Sequence, residues 1–332
     1  MAVPIYDTLA HYATPPNSYI GASIFLSYIV LALYATLSIT FSLYTQYTAI
    51  YHEPAPAKNE KLKAARSARA RHIKIYAFLA SLSFATLSYH MLFFLITHYF
   101  AWTGDKTRSL SGVSGQTLKK WMLESTLFQN FASELVQDVP NALWTQIAIL
   151  GTWFWNVWMA QKASSRPFQT PLTLPFILLS QILPISFTVC LFIIQLHLSA
   201  PDIHPTPPTP NPPSPTKPIA SLHIPNILLN AILLALPSLR HNRIFSPMVL
   251  VERFILLLPH SGLINLRKSD VSKCVYIASG FLVANGMRGR KEAGLGDVGA
   301  ALRDGGFAIK ALGWDAVLGG TVYGLLSWGG GV

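Results

Sequence analysis

Hydrophobic positions along the chain gather into long runs separated by short polar stretches, with little of the strict alternation that marks strands. A helix that crosses a bilayer needs about 20 mostly apolar residues. Runs of that kind predict helices over 19–44, 75–101, 142–161, 174–198, 225–239, 246–265, 271–287 and 307–328. The fifth and seventh are short. Pro247 and Pro259 bracket the sixth, which carries Glu252 and Arg253, so a broken or re-entrant segment is the alternative there. The predicted fold is all-α: a polytopic transmembrane helical bundle of about eight membrane helices plus one interfacial amphipathic helix, forming a single transmembrane domain over 1–332. Residues 199–225 include the run His204-Pro-Thr-Pro-Pro-Thr-Pro-Asn-Pro-Pro-Ser-Pro, a polyproline-like spacer that separates four helices within 19–198 from four within 226–328. The halves show no internal repeat, which weakens a transporter built from inverted repeats.

Composition agrees with this pattern. Hydrophobic residues make up 51% of the 332 positions and charged residues 12%, against about 25% charged in a soluble domain. A freely soluble enzyme is excluded. The net charge of +11 does not form a basic stripe with interleaved aromatics, so nucleic acid is not an expected partner and the lipid bilayer is. Under the eight-helix reading, 16 Lys and Arg fall in the loops of one side and 8 in those of the other. That bias predicts both termini outside, lumenal if the membrane is the endoplasmic reticulum. The first 18 residues lack a basic n-region and an h-region, so the first helix is expected to act as an uncleaved signal anchor. Cys190 and Cys274 lie in apolar runs without His or Cys neighbours at ligand spacing. Clustered His boxes and a DxxxD pair are also missing from the sequence, so neither a metal nor a cofactor is expected. Gly294-Leu-Gly296-Asp-Val-Gly299 fits GxGxxG but follows no strand, and a dinucleotide site is not expected there.

Residues 116–138 are too polar to span, yet their periodicity predicts one amphipathic interfacial helix. Trp121, Phe128, Phe131, Ala132 and Leu135 share one side, while Thr126, Asn130, Ser133 and Gln137 share the other. Glu124 falls in the middle of the apolar side, four residues before Phe128 and seven before Phe131. A carboxyl held among aromatics is expected to stay protonated and to donate a proton. The alternative is a stem that packs while the carboxylate reaches headgroups, Lys119 or Lys120.

The third apolar helix is rich in aromatics, with Trp144, Trp153, Trp155 and Trp158. Trp144, Gly151, Trp155 and Trp158 share a face, which predicts either an interfacial belt or an aromatic wall around a ligand or carbocation. Ionisable groups at membrane depth cost several kcal/mol, about 2.5 to 3.5 on the insertion scale, and are default functional candidates. These are Tyr89-His90, Glu252, Arg253 with His260, and Asp315. Glu252 and His260 would line one cavity if Pro259 leaves the helix whole. Ala316, Gly320 and Gly324 form a small-residue stripe expected to admit another helix and to turn Asp315 inward, although Asp315 equally suits a helix N-terminus.

The block Trp121-Met-Leu-Glu124-Ser-Thr126-Leu127-Phe128-Gln-Asn-Phe131, followed by Trp144-Thr145-Gln146, by Trp155-Asn156-Val-Trp158-Met159 and by Ala311-Leu-Gly313-Trp314-Asp315-Ala-Val-Leu, resembles fungal integral-membrane terpene cyclases of the ascochlorin, ascofuranone and macrophorin meroterpenoid type. The resemblance implies cyclisation of a farnesyl chain carried on a polyketide core. An acid protonates an epoxide or a terminal olefin, and the chain closes through a carbocation. In that scheme Glu124, Asp315 and Glu252 are the catalytic candidates. Trp121, Phe128, Trp144, Trp155, Asn156, Tyr89 and His90 are the candidates for lining the substrate and stabilising the cation. The expected partner is an apolar prenylated small molecule. The competing readings are a proton-coupled small-molecule transporter and a non-catalytic membrane bundle.

Overall fold

The structure, a computed structural model, describes residues 11–52, 60–104, 113–165, 170–182, 184–201, 203, 220–289 and 294–329. The proline-rich run from His204 lies outside these residues. The fold is all-α, joined by one two-residue parallel bridge between β1 (Ala220–Ser221) and β2 (Ile264–Asn265). Among the described residues two helices are long and apolar enough to cross a membrane: α1 (Tyr19–His52) and α2 (Glu60–Thr103). Both turn large apolar side chains outward, such as Phe41 at 71% exposure and Phe78 at 68%, a surface that water would penalise.

Residues 116–138 do not form one helix. They make α3 (Gly115–Glu124) and α4 (Leu127–Glu134), separated where Ser125 turns extended, with Asp138 then capping α5 (Val139–Ser164). Ser114 starts α3 with a capping box to Thr117. α5 is buried on most of its circumference and forms one of two central helices.

The predicted helix over 174–198 is two helices, α6 (Thr170–Ile182) and α7 (Ile185–Leu198), broken before Pro184. They fold back on each other as a hairpin. Phe176 and Phe192, nearly equidistant from the break, stack edge-on with centroids 5.5 Å apart. The free end of α7 returns to the end of the bundle where α1 finishes and α2 begins. There Gln195 and Gln46 exchange amide hydrogen bonds of 2.9 and 3.2 Å. His197 lies 3.2 Å from an Arg69 nitrogen and stacks on His72 at 5.3 Å. All 14 residues of α7 are buried, which explains why its sequence is apolar all round instead of on one stripe.

The remaining helices are α8 (His223–Leu239), α9 (Phe245–Leu257) followed by a 3₁₀ turn at Leu258–Ser261, α10 (Lys268–Gly289), α11 (Leu295–Asp304) and α12 (Phe307–Ser327). Contacts between ends fix their directions. Gln161, late in α5, donates to Leu266 O at 2.6 Å, and Arg240 reaches Gln137 O at 3.5 Å. Ser18 N donates to Leu123 O at 3.1 Å, which sets the start of α1 beside α3. Helices α1, α2, α5, α8, α9, α10 and α12 therefore run the full depth of the bundle, and the α6–α7 hairpin enters from one end only. Tyr19 and Ser327 consequently lie at opposite ends, not at the same end as an even number of traverses requires. The count of basic residues changes with this: among the described residues 10 Lys and Arg belong to one end and 7 to the other, with Arg253 within α9. The two predicted four-helix halves are not separate units either, since α12 packs between α2, α5 and α7.

Close approach to α12 does not use Gly320 and Gly324, which are exposed. It uses Gly313, where a Cβ would strike Leu302, and Gly319, where a Cβ would sit 3.4 Å from Trp155 Nε1.

Candidate functional site

Four of the nine described carboxylates are occupied by helix N-termini, whose free N–H groups and positive dipole end attract an anion. Asp138 accepts from Asn141 N at 2.8 Å, and Asp297 accepts from Gly294 N at 2.7 Å. Glu134, at the end of α4, accepts from Ala308 N at 2.9 Å and so caps α12 from another helix. Burial pushes the Glu134 carboxyl above the ordinary carboxylate range, opposed by the amides of Ala308 and Ile309 and the charge of Lys310. Asp315 does the same for α7: it accepts from Ile185 N and Ser186 N at 2.9 Å each and from Ser186 Oγ at 2.5 Å. Asp315 is indeed buried, but it serves the N-terminus of the hairpin's inner helix, not of its own. Three donors directed at it commit both carboxyl oxygens to the start of α7 and leave neither free for a substrate.

Glu124 is not held among Phe128 and Phe131. The break at Ser125 and Thr126 ends the helical register that the prediction assumed, and Phe128 is 38% exposed. The Glu124 side chain, one-third exposed, lies 3.8 Å from Lys120, its i−4 neighbour.

Glu252 differs from all of these. It is 3% exposed, on the face of α9 that carries Phe245, Ile255 and Leu256 into the core, and its carboxyl has no hydrogen bond or ion pair with any described residue. Arg253, one residue on, acts on it by charge but forms no ion pair with it. His260 does not share a helix face with Glu252, because the chain passes into the 3₁₀ turn at Leu258. Its Nε2 instead donates to Asn156 Oδ1 at 2.8 Å.

The predicted lining residues are dispersed. Trp121, buried, donates to His98 Nδ1 at 3.1 Å at the α3 end of the bundle; since an indole can only donate, that His98 nitrogen is unprotonated. Trp144 donates to Val298 O at 2.7 Å and is committed to holding α11. Trp155 packs edge-on to Trp158 at 5.3 Å and to Tyr323 at 6.2 Å, with its N–H toward Gly319. Asn156, fully buried, also accepts from Ser180 Oγ at 3.0 Å and donates to Thr152 O at 2.9 Å, so it clasps α5, α6 and the 3₁₀ turn together. Tyr89 is 54% exposed on the outer face of α2, against Phe93. His90 lies near Phe307, its buried Nδ1 without a hydrogen-bond partner.

One group does converge. Glu252 (α9), Trp153 and Gln146 (α5), and Asn226 and Asn230 (α8) are all buried where α5, α8, α9 and α10 meet. Trp153 has zero exposure and lies in one apolar cluster with Leu229, Leu233, Ile255, Leu256, Cys274 and Ala278. Weighing only ionisable groups as costly at depth misses Asn226 and Asn230. Their i, i+4 spacing in an apolar helix is the sequence signal that finds them.

No family model, no characterised protein and no solved structure matches this chain.

Proposed function

We propose that the protein is an integral-membrane bundle of seven crossing helices and one re-entrant hairpin, residing in the endoplasmic reticulum, and that it is a protonation-initiated terpene cyclase. Outward-facing apolar residues on the shorter helices support the membrane reading, including Ile224, Phe254, Tyr276 and Met287 at 67 to 78% exposure. A hairpin whose inner tip is capped by Asp315 suits a membrane, because backbone breaks at depth are tolerated where protein satisfies them. The end bearing Lys61 through Lys74 faces the cytoplasm.

The observation that carries the catalytic reading is Glu252: a buried carboxyl with no hydrogen-bond partner among the described residues, in the junction that also holds Trp153. An uncompensated carboxylate is very costly in such surroundings, and the neutral acid is the form that can be held there. It is poised to protonate an epoxide oxygen or terminal olefin on the farnesyl chain of a polyketide. Trp153 then faces the carbocation, whose charge an aromatic ring stabilises by about 0.5 to 2 kcal/mol. A proton leaves at the end of the cascade, so substrate and product are isomers. Glu252 replaces Glu124 and Asp315 as the acid, because Glu124 meets Lys120 and Asp315 is saturated with donors.

The test is expression in a heterologous fungal host supplied with a farnesylated phenol or its terminal epoxide. A cyclised product of unchanged mass is expected from the wild-type chain and none from Glu252→Gln at equal membrane abundance. Full activity of that variant overturns the assignment. The broken α6–α7 hairpin favours a second reading, a proton-coupled transporter in which Glu252 carries the proton. That reading predicts substrate uptake into vesicles without any change in the substrate.

A further inference from the structure

Beyond Glu252, four side-chain atoms in this junction lack hydrogen-bond partners among the described residues. Gln146 Nε2 and Trp153 Nε1 are buried donors; Asn226 Oδ1 and Asn230 Oδ1 are buried acceptors; none is hydrogen-bonded. The opposite atoms of these amides are engaged. Gln146 Oε1 accepts from Asn285 at 2.8 Å, Asn230 Nδ2 donates to Asn226 O at 2.8 Å, and Asn226 Nδ2 donates to Cys274 O at 3.3 Å. The amides are therefore fixed in direction, with one unfilled valence each. A buried donor or acceptor left unmade costs about 1 to 3 kcal/mol, so four gathered in one junction mark a place completed by something else.

These groups stand near the level of Glu252. α5 and α9 run in the same direction and are pinned at Asn156 and His260, 2.8 Å apart. Glu252 lies eight residues before His260, while Trp153 and Gln146 lie three and ten residues before Asn156. At about 1.5 Å per residue, Glu252 falls between the two. α8 and α9 are antiparallel and turn near Asn242, which is equidistant from Asn230 and Phe254, so Asn230 lies within a turn of Glu252.

We infer that Trp153 and Asn230 form a hydroxyl-recognition site near the level of Glu252, one that selects an otherwise apolar ligand by a hydroxyl group at one end. A hydroxyl oxygen accepts from the indole N–H, and its hydrogen is donated to Asn230 Oδ1. An ether satisfies the donor and leaves Asn230 empty, and a hydrocarbon satisfies neither. The site rests on the reading of this junction as the place where substrate binds, but not on any reaction occurring there.

Equilibrium binding to the purified full-length protein in detergent, with 2-farnesylhydroquinone, its dimethyl ether and farnesylbenzene as probes, tests it without turnover. The hydroquinone is expected to bind about tenfold tighter than the ether, the difference that one or two buried hydrogen bonds supply. Asn230→Leu is expected to narrow that preference to about twofold while leaving ether affinity in place, which also reports that the variant folds, whereas Trp153→Phe is expected to weaken hydroquinone and ether alike by about fivefold. Equal affinity of the wild-type chain for the three probes overturns the site, as does a full hydroxyl preference in Asn230→Leu, which would mean that buried water fills these valences. A hydroxyl preference with no cyclised product leaves the site standing and removes the cyclase. Cyclised product with no hydroxyl preference does the reverse.

Discussion

Asp315→Ala should release the inner tip of the α6–α7 hairpin. The substitution orphans Ile185 N, Ser186 N and Ser186 Oγ, three donors buried at the start of a helix with no exposed residue. At about 1 kcal/mol for each lost bond, the native arrangement loses about 3 kcal/mol relative to an opened one. That is about a hundredfold in the opening equilibrium. Cys190, fully buried one turn inside α7, reports the change directly. In a Cys274→Ser background its alkylation by a membrane-permeant maleimide tracks the open fraction when closing is fast. The expected rate increase is about a hundredfold for Asp315→Ala, and about tenfold for Asp315→Asn, which keeps one acceptor oxygen. Ser186→Ala should account for about tenfold alone and should add little in the Asp315→Ala background, because both remove the same bond. An unchanged rate in Asp315→Ala would refute the capping assignment. So would Asp315→Asn abolishing cyclisation at wild-type thiol protection, because that pattern belongs to an acid, not a cap.

Other perturbations separate neighbouring claims. Glu124→Gln removes a half-exposed pair with Lys120 and should change the unfolding free energy by less than about 0.5 kcal/mol, with activity intact. Trp121→Phe deletes the bond to His98 and should destabilise by about 1 kcal/mol in thermal or denaturant unfolding. Burial raises the Glu134 carboxyl, so folding favours its protonated form: its contribution is full below the unfolded pKa and is lost as pH rises through the folded one. Stability should therefore fall with pH across the window just above the ordinary carboxylate range, and Glu134→Gln should flatten that slope. Single cysteines at Ser165 and Ser199 should be labelled by an impermeant reagent from the same side of sealed vesicles; labelling from opposite sides would remove the hairpin.

The apolar runs of α1, α2, α5 and α12 were legible because each keeps one continuous composition for the length of a helix. The hairpin was not. Its two arms and Pro184 read as one apolar run, and the distinction between a kinked crossing and a turn back lies in the stacking of Phe176 on Phe192 and in the pairing of Gln46 with Gln195, contacts between residues up to 149 positions apart. The break between α3 and α4 was hidden for a different reason. Ser125 and Thr126 are tolerated inside helices, so periodicity carried the register straight through them and placed Glu124 among aromatics it does not meet. Glu252 and Asp315 were both found as carboxyls at depth, yet their roles could not be ranked from composition. What separates them is the backbone opposite: α7 begins in front of Asp315, and no described backbone N–H is bonded to Glu252.

That contrast gives the scarcity of acidic residues a structural meaning. A chain with 14 Asp and Glu in 332 residues has few anions to set against the positive ends of its helices. Asp138, Glu134, Asp297 and Asp315 are each spent on such an end, two of them across helices, where the interior would otherwise leave N–H groups unmatched. Glu252 has no such duty, and selection for stability alone would replace it with an apolar residue of similar size. Its deficit coincides with unfilled valences on Gln146, Trp153 and Asn230, which come from two further helices and have no bonding connection to it. Independent deficits gathered in one junction are better explained by a shared occupant than by separate imperfections. The occupant must be apolar enough to enter and polar at one end. If Glu252→Leu raised the unfolding midpoint while abolishing both hydroxyl preference and turnover, the carboxyl would be shown to be kept for that occupant at the expense of the fold.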